Sequence, residues 1–327
     1  MLKRTLYLAW RSLGWFTRAA LMAALAAGFV LSSAVLVLRY AVFPNMEPYR
    51  EPIARAASQM LGERVSIGRI AAHWDGARPQ LVLGDVVILD RSGRPALRLG
   101  EIENSLSWLT VLTGRLHFHT IEITAPDLEV RRDAAGMLYV AGIPLRESPG
   151  ERGVADWLLE QRRIVVRDAR VRWLDESRGA PPLALESVSL RIENSGRHHR
   201  FGLRATPAPG LASTLDLRGD LSGETFERLP GWSGEVYAEL HYADLGAWRA
   251  WLPYPLDLSR GIGALRLWVG FDGAALRDVT ADVRLRDVKA RLRADRPELD
   301  LVGLQGRIAW KAAPGGFDLA TEKLSLA

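Results

Sequence analysis

One uncharged run, Ala19 to Leu38, limits what this chain can fold into more than any other feature of its sequence. As an α-helix rising about 1.5 Å per residue, these residues span the hydrocarbon layer of a bilayer, which is about 30 Å thick. The run exceeds the apolar core of a cleaved signal peptide, about 7–15 residues, and no small-residue cleavage motif follows it. The sequence therefore predicts an uncleaved transmembrane helix over residues 19–40.

The residues that flank this run indicate which way it crosses the membrane. The segment before it, residues 1–18, contains no acid and four basic residues, Lys3, Arg4, Arg11 and Arg18. Such a bias keeps a flanking segment in the cytoplasm, so residues 1–18 are predicted to be cytoplasmic and everything after Tyr40 to lie outside it. Amphipathic aromatic residues prefer the membrane interfaces, and here they lie near both ends of the run: Trp10, Trp15, Phe16 and Tyr40.

Composition excludes several classes of protein. Hydrophobic residues make up 48% and charged residues 25% of the 327 residues, as in folded globular proteins. The chain has no cysteine, which excludes disulfides, thiol catalysis and cysteine-bound zinc. The net charge of +5 is dispersed, because acids alternate with bases along the ectodomain instead of leaving one basic face. Nucleic acid is therefore not an expected partner.

Beyond the membrane the period of the sequence changes from helical to strand-like. Residues 41–63 predict a linker punctuated by prolines and a short helix, Glu51–Glu63, that stops at Gly62. Apolar and polar residues then alternate in about fifteen segments separated by Pro/Gly breaks, which is the pattern of strands with one apolar face. We divide these strands into a first β segment, residues 64–150, and further repeats over residues 151–327.

One short pattern, P-x-L-x-L-x-x-(V/I/L), occurs four times, beginning at Pro79, Pro95, Pro181 and Pro297. Proline suits a strand start because it cannot donate to the ladder, and L-x-L places two leucines on one face. The next apolar residue comes three positions later and returns to that face only if the strand contains one bulged residue. We therefore expect bulges that curl the sheet, near Gly84, Gly100, Glu186 and Val302.

The apolar face of this mainly β fold has little helix available to cover it. Only two further short helices are predicted, Ser105–Leu112 and Val154–Arg162. Two arrangements stay open: a sandwich, and an elongated antiparallel sheet that curls around its apolar face without closing. We favour the curled sheet, in which fifteen strands about 4.8 Å apart make a trough roughly 70 Å long. Its expected lining is Val171, Trp173, Leu190, Ile192, Leu215, Leu217, Leu240, Leu265, Leu267, Val269 and Phe271.

No arrangement of residues in the sequence predicts catalysis or a cofactor. His117 and His119 share a strand face, but no third ligand has metal-site spacing beside them. His198 and His199 lie in a polar, turn-like stretch, point opposite ways if extended, and are expected to be solvated surface. Nucleophile-elbow and Walker sequences are absent. We therefore expect no enzyme activity, no bound metal and no cofactor.

Several blocks together resemble the AsmA-like proteins, and within them the YhdP type. The anchor and its short helix are followed by LGERVSIGRIAAHWDGARPQLVLGDVVILD (Leu61–Asp90), LSWLTVLTGRLHFHTIEITAPDLEVRRDAAGMLYVAG (Leu106–Gly142) and DWLLEQRRIVVRDARVRWLDE (Asp156–Glu176). The last block leads into PPLALESVSLRIENSGRHHRFGLRA. The order and spacing of these blocks make the match specific, and it covers essentially the whole chain. The first two blocks are also loosely similar to the start of the eukaryotic bridge-like lipid transfer proteins.

The resemblance implies a repeating β-groove, an anchor in the inner membrane of a Gram-negative bacterium, a periplasmic ectodomain and movement of phospholipids towards the outer membrane. It brings no catalytic motif. YhdP-type proteins are several times longer, and this chain stops inside a predicted strand at Ala327, so we expect a fragment or a truncated reading frame. Its C-terminal edge would then be unpaired and open to other envelope proteins.

Two functions stay open at this stage. One is a lipid conduit, because an exposed apolar trough tethered to a membrane has phospholipid acyl chains as its natural ligand. The other is a membrane-anchored scaffold of envelope biogenesis that uses the sheet edges and the apolar face to hold protein partners without conducting lipid.

Overall fold

The computed structural model describes residues 2–61, 64–76, 78–89, 93, 95–106, 118–144, 158–225, 231–252, 254, 257–273, 275–291, 295 and 297–327. Helix α1, Leu2–Val37, continues through a π turn, Leu38–Val42, and two 3-10 turns, Phe43–Asn45 and Glu47–Tyr49. Helix α2 spans Arg50–Leu61 and confirms the predicted short helix to within two residues.

One stretch of helix among the described residues, Thr17–Asn45, is long and apolar enough to cross a membrane. None of its most apolar window is buried against the rest of the protein. A helix with apolar side chains exposed on every side is stable only in an apolar surrounding, so this stretch fits a single-pass membrane anchor.

Among the described residues, sixteen strands follow and form one sheet. They are β1 Arg64–Asp75, β2 Arg78–Leu89, β3 Pro95–Leu106, β4 Phe118–Thr124, β5 Asp127–Arg132, β6 Leu138–Val140, β7 Ile143–Pro144, β8 Arg163–Asp175, β9 Leu183–Ser195, β10 His198–Pro207, β11 Leu215–Ser222, β12 Ser233–Asp244, β13 Asp257–Asp272, β14 Ala275–Arg291, β15 Leu299–Ala313 and β16 Gly316–Leu326. A short helix, α3, Leu245–Trp248, lies between β12 and β13.

The strands pair almost entirely in chain order, from β1 at one end of the sheet to β16 at the other. Neighbours are antiparallel except at β8, which pairs in parallel with β4 and with β5. A parallel pair needs a crossover, and the chain makes it between the end of β5 and the start of β8. The buried Asp175 ties this junction together by pairing with Arg132, and that hydrogen bond lowers the pKa of Asp175. The expected class, a mainly β, elongated sheet that stays open, is confirmed.

A line of irregular positions crosses the sheet, and we call it the crease. In β1 the inward residues Val65 and Ile67 are followed on the same face by Ile70, so the spacing changes from two to three. The irregular positions along the crease with left-handed backbone, φ between 48° and 52°, are Asp85, Ala125, Asp168, Ser187 and, further along, Asp287. Because an extra residue raises the local twist and bends a strand, the crease accounts for the curl of the sheet.

The bulges predicted from the repeated pattern can be compared with these positions. Beside Glu186 a register shift is present, with Ser187 in the left-handed region. Beside Val302, the N–H groups of Val302 and Gly303 both donate to the carbonyl of Ala327, which is a bulged arrangement.

The other two positions behave differently. Next to Gly84, Asp85 has a left-handed backbone and is an extra residue in β2. The register between β1 and β2 is nevertheless preserved, because Gly68 is an extra residue in β1 across from Asp85. A Cβ at Gly68 would lie 2.7 Å from the Cβ of Asp85, so this close approach requires glycine. The bulge predicted near Gly100 takes the same form. Gly100 is skipped in the pairing opposite Asp85, so β3 keeps its register with β2. Leu99 and Ile102 pack in one cluster, so an extra residue lies between them as predicted.

The crease separates two halves of the apolar face. On one side, the covered half, α2 packs Ala54 against a buried cluster on the first strands: Val65, Ile67, Val86, Ile88, Leu97 and Leu99. The covered half also includes the first residues of β9 and the last residues of β14, which pack with α3. The other side, the open half, contains β9 from Val188 onwards and β14 up to Leu285.

Two predicted helices need correction. Ser105 and Leu106 belong to strand β3, whose alternation continues to its end, and residues 107–112 lie outside the described residues. In the second predicted helix only residues 158–160 are helical; residues 161–162 form a bend before β8, and residues 154–157 lie outside the described residues.

Candidate functional site

Two rows of apolar side chains run along the open half, across β8 to β16. Residues paired in a ladder share a face of the sheet, so the register defines each row. The Val269 row consists of Ile164, Ile192, Phe201, Gly219, Val236, Val269, Val279, Trp310 and Leu319. The Leu267 row consists of Val166, Leu190, Leu203, Leu217, Ala238, Leu267, Ala281, Ile308 and Thr321. Neither row contains a charged residue.

Gly219 does not interrupt the Val269 row. A Cβ at this position would lie 2.1 Å from Cε1 of Phe201, so the ring of Phe201 lies across the glycine and fills its place. The apolar surface therefore stays continuous where the side chain is missing.

The structure places the eleven residues predicted to line the trough mostly on this surface. Five belong to the two rows: Ile192, Val269, Leu190, Leu217 and Leu267. Leu215, Leu240 and Leu265 lie next to the Leu267 row, and Phe271 lies beyond the Val269 row. Val171 and Trp173 lie in the covered half of β8. All eleven side chains are half-buried.

These eleven residues differ in what they contact. Trp173, Leu240 and Leu265 pack against the buried cluster around α3. Val171 and Leu190 pack against a smaller cluster of Val166, Ala169, Val188 and Ala205. The other six belong to none of the described buried clusters: Ile192, Leu215, Leu217, Leu267, Val269 and Phe271.

The opposite face carries the charge. Arg266 donates from Nε to Glu239 at 2.8 Å, and Arg307 donates from Nε to Asp282 at 2.6 Å on the next strands. Asp216 accepts from both Arg218 and Arg204. The hydrogen bond from Arg218 lowers the pKa of Asp216, as that from Arg307 lowers the pKa of Asp282. The sheet is therefore amphipathic, with ion pairs outside and hydrocarbon inside.

The end of the N-terminal helical segment reaches the apolar face at the first strand. Phe43, in the first 3-10 turn, stacks on Trp74 with ring centroids 5.3 Å apart. The guanidinium of Arg39 lies 5.8 Å from the same ring. Trp74 pairs with Pro79 across β1 and β2, on the open side of the crease. The end of the anchor and the open half of the sheet are thus adjacent.

A buried histidine at the edge of the open half was not expected. His198 is exposed, but His199 is only 4% exposed, so the prediction of solvated surface is wrong for His199. Its ring stacks on Trp232 at 5.0 Å, and Nδ1 lies 2.8 Å from Oδ1 of Asn194. Burial lowers the pKa of His199. Alternation with Phe201 already places His199 on the apolar face, and that was the available signal.

His117 lies outside the described residues, and His119 is half-buried. Within the described ranges, no group of three or more His, Asp or Glu side chains is arranged to hold a metal ion.

An open, curled sheet with one apolar face, joined to an N-terminal helix that fits a membrane anchor, defines a β-groove protein. The chain belongs to the YhdP family: the family model described as YhdP protein matches residues 1–327. The resemblance read from the sequence is therefore confirmed. No curated protein and no solved structure gives a match to the chain.

Proposed function

We propose that this protein is held in the bacterial inner membrane by α1, with residues 1–18 in the cytoplasm and the sheet in the periplasm. The sheet takes part in phospholipid transport towards the outer membrane, and the acyl chains lie along its apolar face. The proposal assigns no catalytic step to the chain. One observation carries it: two charge-free rows of side chains cross nine strands in succession, and their members on β9 to β15 are half-buried.

The dimensions of these rows suit acyl chains. Nine strands about 4.8 Å apart extend over roughly 38 Å. One leaflet of a bilayer is about 15 Å of hydrocarbon, so the rows offer the length of about two acyl chains end to end. Each methylene group that leaves water contributes about 0.8 kcal/mol, which favours a hydrocarbon ligand on this surface.

The test measures lipid that travels with the ectodomain. Residues 45–327, purified with minimal detergent, are expected to carry phospholipid at more than trace stoichiometry in mass spectrometry. A well-folded ectodomain free of lipid would instead favour the scaffold function.

A matched pair of variants sharpens this test. Leu267 lies in the Leu267 row, whereas its neighbour Arg266 points to the charged face and pairs with Glu239. A charge that faces hydrocarbon costs about 2–4 kcal/mol when deep and little near a wet rim, so Leu267→Glu should deplete bound lipid. Arg266→Glu should leave the lipid content nearly unchanged. Equal lipid loss in both variants would contradict the groove.

A further inference from the structure

The described residues between β12 and β13, 245–252 and 254, form a fixed insert on the apolar face. Asp244 caps α3 by accepting the N–H of Ala247 at 3.0 Å. Leu245 and Trp248 are buried. Trp248 donates from Nε1 to the carbonyl of Leu211 at 3.2 Å, and Trp251 donates from Nε1 to the carbonyl of Pro181 at 2.9 Å. These bonds hold the insert at two separate places on the fold.

The end of the insert is equally fixed. The hydroxyl of Tyr254 donates to the carbonyl of Leu245 at 3.0 Å, which closes the segment on itself. Burial raises the pKa of Tyr254 to about 12. The rings of Trp248 and Trp251 meet edge to face, 5.8 Å apart. The insert is therefore a packed aromatic unit and not a loose connection.

This unit reaches across the covered half. One cluster unites Trp248 with Leu183 of β9, Val288 and Ala290 of β14, and the partly buried Leu301 of β15. Strands β9 and β14 are five steps apart in the sheet, or about 24 Å if the sheet were flat. The covered half therefore wraps around the insert. The apolar side chains of the covered half are in contact with protein.

Helix α2 has the same relation to the first strands. Its Ala54 packs in one cluster with Val65 and Ile67 of β1, on the same side of the crease. The insert lies on that side as well. The buried clusters around α2 and the insert contain no described residue of the Val269 row or the Leu267 row on β10 to β15.

We infer that α2 and the insert form a wall that excludes acyl chains from the covered half and confines lipid to a lane along the Val269 and Leu267 rows. This inference rests on the proposed function and adds the path that the lipid takes. The lane begins at β8, on the same side of the crease as the stacked rings of Phe43 and Trp74 at β1. The hydrogen bonds of Trp248 and Trp251 hold the insert in place, and the insert in turn limits where the ligand lies.

The test maps where lipid touches the full chain. The chain is reconstituted in vesicles of phosphatidylethanolamine and phosphatidylglycerol that contain phosphatidylethanolamine with a diazirine in its acyl chain. After illumination, proteolysis and fragmentation in the mass spectrometer locate each labelled residue. Labelling is expected at Leu267 and Val269 in the open half and absent at Leu183 and Val288 in the covered half.

A variant that removes the wall is the second arm. Trp248→Ala combined with Trp251→Ala should let lipid reach the covered half, so labelling at Leu183 should appear. The matched control is Arg249→Ala, because Arg249 lies on the same insert but is exposed and pairs only with Asp257 at 3.6 Å. If thermal unfolding shows that the double variant is not folded, the milder Leu245→Ala replaces it.

The outcomes separate the inference from the proposed function. Labelling in both halves of the unaltered chain would contradict the exclusion of lipid by the wall but would support lipid binding. Labelling in neither half would overturn lipid binding and the wall with it. A folded wall variant that gains no label at Leu183 would show that another element excludes the lipid, which also overturns the inference.

Discussion

The two halves of the sheet, on either side of the crease, carry the same alternation of apolar and polar residues but lie in different surroundings. In the covered half Leu183, Val288 and Ala290 are at most 7% exposed. In the open half Leu217 and Leu267 remain half-buried. Alternation therefore determines which face of a strand is apolar, while the segments between strands decide whether that face is covered by protein.

The largest expected effect contrasts a charge in each half. Val288 is 2% exposed, so Val288→Glu buries an unpaired carboxylate and should lower the free energy of unfolding by about 3–5 kcal/mol. Leu267→Glu should cost clearly less, because a carboxylate on an uncovered face stays near water. Urea unfolding followed by circular dichroism measures both. Equal losses would mean that the open half is also a packed core.

A smaller effect concerns the bond that ties the insert to β9. Trp251→Phe keeps the aromatic packing but removes the Nε1–H that donates to Pro181, and should cost about 1 kcal/mol. The exposed Arg249→Ala on the same insert serves as the control and should change stability little. Thermal unfolding compares the two variants; identical midpoints would show that the Pro181 bond does not anchor the insert.

The smallest effect lies at the edge of the open half and depends on pH. His199 has a pKa below its ordinary 6.5, so it stays neutral in the folded protein while an unfolded chain binds the proton. Stability is therefore full above pH 6.5 and falls as the pH drops from there towards the folded pKa. His199→Gln should remove this part of the pH dependence of the melting temperature between about pH 5 and 7.

The exposed His198→Gln is the matched control and should keep the pH dependence of the unaltered protein. If both variants lose the pH dependence of the melting temperature equally, the buried ring of His199 is not the source of that dependence.

Much of the fold could be predicted because its signals are local. The apolar run of α1, the alternation of each strand and the three-residue step beside Glu186 all lie within a few neighbouring residues. Cross-strand pairing then places Leu217 and Leu267 in one row without further information. A period of two is a property of the strand itself.

What escaped prediction depends on distant parts of the chain. The parallel pairing of β8 with β4 joins segments about forty residues apart, and nothing in either strand indicates its direction. Trp232 covers His199 from a loop that alternation does not describe. The insert around Trp248 looks like an interruption between strands, and only its contacts with β9 and β14 reveal a cover.

The insert also bears on how this sheet folds. A sheet paired in chain order resembles a repeat array, in which each unit touches only its neighbours and unfolding need not spread far. By packing in one cluster with side chains of β9, β14 and β15, the insert adds contacts between units that would otherwise be independent. The strands from β9 to β15 should therefore unfold as one cooperative unit, while strands outside that span exchange their amide protons from local openings.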